Sequence, residues 1–207
     1  MANKAGDKVK VAVFDLNGTF YNKSSKDEFY KFVLTKRPKR FTYYFEMMYY
    51  KLLQNLNQMR QTEFKENFFN YLDDLPPAKV KEFATEFWAQ EYPEEFNQEI
   101  KQRLDKLKEA GVKIYCLTGG LETYVNPLFQ NHYPIDGFAG TQVKYDGHTY
   151  KVQGKACKDE EKLKRMDKFL DGQPYTIVEA YSDSKENILD EAEKAFLVED
   201  GKIKPYK

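Results

Sequence analysis

The sequence predicts an α/β protein: a parallel sheet flanked by helices, with an all-helical block inserted after the first strand. Three observations carry this. Short apolar runs around Val11–Phe14, Val112–Leu117 and Tyr175–Ala180 each end in a polar loop, as strands buried on both faces do. The second run is fed directly by an amphipathic helix. Between Lys26 and about Tyr92 the apolar spacing is helical, and no strand pattern interrupts it.

The first element is the stretch Val11–Phe20, VAVFDLNGTF. Its polar half places a carboxylate, an amide, a glycine and a hydroxyl at the C-terminal end of a buried strand, which is where open α/β sheets bind ligands. Asp, Asn and Gly are also ordinary turn residues. D-x-N-G-T alone therefore fits a simple turn as well as a site, and the rest of the chain has to decide.

The block that follows reads as about four helices, DEFYKFVL, RFTYYFEMMYYKLLQNL, EFKENFFNYL and KVKEFATEFWAQEY, with breaks at Pro38, near Gln61 and at Pro76-Pro77. It cannot extend the sheet and is expected beside it. Its segment Lys36–Lys51 mixes basic and aromatic residues. A lipid-headgroup contact would explain that mixture, but a short bundle needs large side chains to bury enough area, so core filling is the expected role.

From Pro93 the α/β rhythm resumes. PEEFNQEIKQRLDKLKEAG carries Phe96, Ile100, Leu104 and Leu107 on one face and ends at Gly111, so it reads as a helix leading into the strand Val112–Leu117. That strand ends in Thr118-Gly119-Gly120, ahead of a helix from about Leu121 to Gln130. A hydroxyl beside backbone N–H groups at a helix start suits a phosphate oxygen. Cys116 reads as a small core residue.

Alternation on either side of Asp146-Gly147 predicts a hairpin. His148, just past the turn, reads as exposed and structural, with no second His or Cys spaced to share a metal. KACKDEEKLKRMDKFL then reads as a helix burying Leu163, Met166, Phe169 and Leu170, with Lys162 in its first turn. A lysine there opposes the helix dipole and suggests a held anion, with Lys155 and Lys158 as nearby competitors. The strand Tyr175–Ala180 runs into Tyr181-Ser182-Asp183-Ser184-Lys185-Glu186-Asn187. The helix ILDEAEKAF and a short strand, Phe196–Glu199, close the pattern.

Strand ends thus offer Asp15, Thr118 and Asp183 to one crevice, with a lysine between the last two. Two carboxylates in one cleft repel unless a hard cation such as Mg2+ lies between them. Lys+Arg 33 balances Asp+Glu 33, so no global field favours nucleic acid or an anionic membrane. Two cysteines make no disulfide framework, no apolar run approaches the ~20 residues of a membrane span, and the N-terminus lacks a signal-peptide core. A cytoplasmic protein without an integral membrane segment is expected; nothing in the sequence fixes its oligomeric state.

Four motifs in order resemble the haloacid dehalogenase (HAD) superfamily, in particular its phosphoserine-phosphatase-like branch with a helical cap. VAVFDLNGT is similar to the D-x-D-G-T motif, LTGG to the Ser/Thr motif, EEKLKRM to the lysine motif and YSDSKEN to the acidic motif. GKACKDEEKLKRM is similar to the family's G-x-x-C-x-G-x-x-K-x-x-x-L, which selects Lys162 over its neighbours. The resemblance runs from about Val9 to Val198. It implies a Rossmann-like HAD core over residues 1–22 and 93–207, and a helical cap over 23–92.

It also implies roles. Asp15 would be the nucleophile that forms an aspartyl-phosphate, Thr118 and Gly119 would bind phosphate oxygens, and Lys162 would steady both. Asp15, the carbonyl of Asn17 and Asp183 would hold Mg2+. Asp27, early in the cap, would contact the leaving group of a small phosphorylated metabolite. Two positions depart from the pattern: Asn17 stands where the family has its acid/base aspartate, and Asn187 where the last motif closes on an acid. An amide exchanges no proton in that role. Two functions are therefore carried forward, a slow Mg2+-dependent phosphomonoester hydrolase and a relative that binds a phosphorylated ligand without turnover.

Overall fold

The computed structural model describes residues 8–37, 45 and 70–207. In chain order its elements are β1 (Val9–Phe14), α1 (Ser25–Lys36), α2 (Pro77–Glu91), α3 (Gln98–Glu109), β2 (Lys113–Leu121), α4 (Glu122–Asn131), β3 (Gly137–Thr141), β4 (Val143–Tyr145), β5 (Tyr150–Val152), α5 (Glu160–Phe169), β6 (Tyr175–Ser182), α6 (Asn187–Asp190), β7 (Lys194–Glu199) and β8 (Lys202–Pro205). The main sheet runs β3-β2-β1-β6-β7-β8. Its first five strands are parallel, and β8 is antiparallel to β7.

β1 sits centrally, and its successive residues face opposite ways. Ala12 and Phe14 enter one hydrophobic cluster, Val11 and Val13 the other, and all four are buried. Burial on both faces is what the unbroken apolar run required. Asp15 follows immediately, at the C-terminal end of the middle strand.

The described part of the insertion is helical. Ser24 caps α1 by accepting from the Asp27 N–H, with Asp27 and Glu28 in its first turn, and Pro77 opens α2. Aromatic packing joins both helices to the core. Phe29 stacks on Tyr124 of α4 at 4.9 Å and meets Phe87 at 5.5 Å, while Trp88 meets Tyr21 at 5.3 Å. The Trp88 indole N–H also donates to the Tyr124 carbonyl at 2.6 Å. The core filling expected of the aromatics in Lys36–Lys51 falls outside the described residues except at Phe45. The helix expected over RFTYYFEMMYYKLLQNL lies outside the described residues except for Phe45, which is 71% exposed. EFKENFFNYL lies outside them except for Asn70–Leu72, a 3-10 turn.

The hairpin β4–β5 forms around Asp146-Gly147 as expected. His148 is exposed, but it is also a link to the insertion: its carbonyl accepts from the Asp74 N–H at 2.7 Å, and its ring pairs with the Asp74 carboxylate. Two bonds beside it, from backbone and ring, make that corner specific. Among the described residues no helix is long and apolar enough to cross a membrane.

Three expectations need correction. The helix expected over ILDEAEKAF is only the four-residue α6, because Lys194 and Ala195 already pair with Glu179 and Ala180 of β6. Sheet pairing overrides local helix preference there. Phe169 is 40% exposed rather than buried, since the α5 period turns Lys162 and Met166 inward and leaves Phe169 covering the edge of Tyr115. The strand expected to stop at Leu117 runs on to Leu121, with a register irregularity against β3 between those two residues. Thr118-Gly119-Gly120 is thus an irregular strand segment, and the helix starts at Glu122.

Candidate active site

The Asp15 N–H donates to the Tyr181 carbonyl at 2.9 Å, which sets the ends of β1 and β6 level and brings the Asp183 loop alongside. Gly18 fits this contact for two reasons. Its φ is +67°, and a Cβ there would lie 2.5 Å from Asp183 Oδ2. Partial burial, followed by the negative charge of Asp15, raises the Asp183 carboxyl above its usual range. The repulsion between the two carboxylates is what a cation would relieve.

Lys162 is almost wholly buried and faces two acids, with Nζ 2.8 Å from Asp15 Oδ1 and 2.5 Å from Glu186 Oε2. Burial pulls its pKa down, but Asp15 and Glu186 outweigh that and hold the ammonium above its ordinary value. Glu186 is itself raised by burial and by Asp15, against the pull of Lys162. One lysine thus bridges the acid at the end of β1 and the acid ahead of α6.

The Asn17 carboxamide is engaged at both ends. Its Oδ1 accepts from the Ser25 N–H at 2.7 Å, and its Nδ2 donates to Thr118 Oγ1 at 3.4 Å. Thr118 Oγ1 also accepts from the Gly120 N–H at 3.2 Å. Both contacts use lone pairs, which leaves the hydroxyl proton to be donated. Behind this turn the Cys157 N–H donates to Thr141 Oγ1 (3.2 Å) and the Thr141 hydroxyl donates to the Gly119 carbonyl (2.9 Å). That relay fixes the loop carrying Lys158 against Gly119. Cys116 is buried in β2 as expected, and burial pushes its thiol pKa well up.

These groups surround a cavity of about 640 Å³. Asp15, Asn17, Gly119, Lys162 and Asp183 line it. Thr118 lies beneath the lining, fully buried and bonded to Asn17. Asp27 is not among the lining residues, although its neighbours Ser24 and Lys26 are. Asn187 is exposed at the start of α6, and the carboxylate that reaches Lys162 belongs to the preceding residue, Glu186. Sequence reasoning passed over Glu186, Tyr124 and Lys26. Glu186 was visible as an acid inside the last motif, whereas Tyr124 carried no signal beyond an aromatic on a helix.

The donor set fits Mg2+. Asp15, Asp183 and the Asn17 carbonyl are all oxygen donors, and Mg2+ takes oxygen ligands while keeping several waters. Among the described residues no group of three or more His, Cys, Asp or Glu is arranged to hold a metal, so a cation here would rest on this pair and on backbone, water or substrate oxygens.

A parallel sheet that gathers carboxylates, a Thr-Gly turn and a buried lysine at its strand ends defines an α/β protein with a polar ligand crevice there. The model of the haloacid dehalogenase-like hydrolases matches residues 12–186, and the chain belongs to that family. Its fold has the phosphoserine-phosphatase-like form. Similar solved structures include a protein of unknown function from Bordetella pertussis Tohama I, with TM-score 0.67 and 15% identity over 91% of this chain and 80% of that one. A phosphoserine phosphohydrolase-like protein from Francisella tularensis subsp. tularensis SCHU S4 gives 0.59 and 22%, over 90% and 86%. A phospho-aspartyl intermediate analogue of phosphoserine phosphatase gives 0.56 and 18%, over 91% and 86%. At these identities the likeness is one of fold. No curated protein matches the chain.

Proposed function

We propose that the chain is a Mg2+-dependent phosphomonoester hydrolase of low turnover, acting on a small phosphorylated metabolite through an aspartyl-phosphate on Asp15. The observation that carries this reading is the buried Lys162, paired with Asp15 at 2.8 Å beside the Asp183 carboxylate and open to the cavity. An Asp15 oxygen attacks phosphorus, the bond to the leaving oxygen breaks, and water later attacks the acyl phosphate to release phosphate and restore Asp15. Lys162 orients the nucleophile and balances charge. The Gly119 N–H holds a phosphoryl oxygen above the buried Thr118, whose hydroxyl oxygen accepts from Asn17 and Gly120. Bound by Asp15, Asp183 and the Asn17 carbonyl, Mg2+ would neutralise charge on the transferring group. Residues 23–92 act as the cap, and Ser24, Lys26 and Tyr124 face the leaving group.

Low turnover follows from Asn17. Without an acid there the leaving oxygen takes its proton from water, and losing general acid–base help lowers rates by ~10²–10⁴-fold. The same residue favours a second reading, a site that binds a phosphorylated ligand without turning it over, because the amide is committed to Ser25 and Thr118. Phosphate release from p-nitrophenyl phosphate, with Mg2+ and with a chelator, separates the two. Slow release that the chelator and Asp15→Asn both abolish is expected. Tight phosphate-ester binding without release would establish the second reading instead.

A further inference from the structure

A second groove of about 470 Å³ adjoins the catalytic cavity and shares Gly154 and Lys155 with it. The groove is polar and cationic. Lys164, Arg165 and Lys168 line it from α5, the helix that sends Lys162 the other way into the catalytic cavity. Its one acid, Glu161, is already paired with Arg165 at 2.9 Å. Lys155, Lys164 and Lys168 make no ion pair among the described residues. A solvated helix face is the ordinary explanation for charged residues on a helix. Here, however, Lys164 and Lys168 are like charges four residues apart, which destabilises a helix.

The floor of the groove is fixed in place. Gln142 and Gln153 both line it, and the Gln153 N–H donates to the Gln142 carbonyl at 2.8 Å. The loop is pinned again four residues on, by the Cys157 N–H bond to Thr141. Lys155 therefore stands on a braced turn between the two cavities.

We infer that this groove is an anion subsite for a second phosphate on the substrate, so that the preferred ligand is a bisphosphorylated small molecule. One phosphate lies at Asp15 and the other among Lys155, Lys164 and Lys168. A dianion there meets three cations with no competing free carboxylate. A carboxylate carries half that charge and gains less. The inference rests on the phosphatase site proposed above and adds its substrate class.

Calorimetric titration of the full chain carrying Asp15→Asn, in Mg2+, tests it. The probes are propane-1,3-diol bisphosphate and hexane-1,6-diol bisphosphate, propyl and hexyl phosphate, and 6-(phosphonooxy)hexanoate. At least one bisphosphate should bind about ten-fold tighter than its monophosphate, with the carboxylate analogue in between. In Lys164→Ala/Lys168→Ala, whose altered side chains are exposed, the advantage should disappear while monophosphate affinity and wild-type p-nitrophenyl phosphate release stay the same. Equal affinity of mono- and bisphosphates, or an equal loss for both in the double variant, overturns the subsite and leaves the phosphatase reading intact. Absence of any phosphate-ester binding, together with absence of p-nitrophenyl phosphate release by the wild-type chain, overturns both.

Discussion

Asn17 links the first turn of α1, through Ser25, to the Thr118 hydroxyl, so its side chain is a structural tie as well as a departure from the family pattern. Aspartate has nearly the same size. One carboxylate oxygen can still accept from the Ser25 N–H, and the other can accept from the Thr118 hydroxyl, so Asn17→Asp should keep the fold. It supplies the missing acid, and release of phosphate from an alkyl phosphate should rise by ~10²-fold or more, with a smaller gain for an aryl phosphate. Asp15→Asn should stay inactive in either background. If Asn17→Asp leaves both rates unchanged while Mg2+ still binds, the ligand-binding reading becomes the better one. Gly18→Ala gives the opposite kind of result: a side chain at φ +67°, 2.5 Å from Asp183 Oδ2, should lower stability by ~1–3 kcal/mol and displace Asp183. Chemical denaturation reads the first effect and Mg2+ affinity the second. Asp15, Lys162 and Asp183 were legible in the sequence because each follows an apolar run or opens a helix. Glu186 was visible only as an acid inside the last motif; its role was not, because that depends on a lysine 24 positions away.

At the scale of elements, the small hairpin β4–β5 anchors the far end of the insertion. Alongside the His148 links, the Tyr150 hydroxyl donates to the Leu75 carbonyl at 2.7 Å in a buried setting. Tyr150→Phe leaves that carbonyl without its partner, and should lower stability by about 1–2 kcal/mol in urea titrations. An unchanged midpoint would mean that the hairpin merely rests on the insertion. The strands β1, β2 and β6 were legible because central parallel strands are apolar without alternation. β8 was not legible: the segment around Lys202–Pro205 is short, polar and on the sheet edge, where burial leaves little pattern. The region after Asn187 misled for a related reason. Ile188, Leu189 and Ala192 suit a helix face, and only the neighbouring β6 draws Lys194 and Ala195 into a strand.

Across the whole molecule, burial of phenols and thiols sets the response to alkali. Burial raises Cys157 to about 11 and Tyr124 to about 12, and drives Tyr21, Tyr133 and Tyr181 higher still. In that range the unfolded chain has already released protons that the folded chain keeps, so stability falls as pH rises. The melting temperature in metal-free buffer should therefore drop steadily between pH 9 and 11. A cation held by Asp15 and Asp183 would act at neutral pH in the opposite sense. Asp15 and Asp183 are forced together by the pairing of β1 with β6, and folding carries that repulsion unless Mg2+ relieves it. A ligand bound only by the folded state adds about 2.7 kcal/mol at one hundred times its Kd. For a chain of this size that is a rise of roughly 5–10 °C in melting temperature. Asp183→Ala removes one of the two carboxylates, and the other, Asp15, is already engaged by Lys162, so the Mg2+ response should vanish. Asp27→Ala, outside the cavity lining, should retain it. A full Mg2+ shift in Asp183→Ala would place the cation elsewhere, and the phosphoryl-transfer geometry built on the Asp15–Asp183 pair would fall with it.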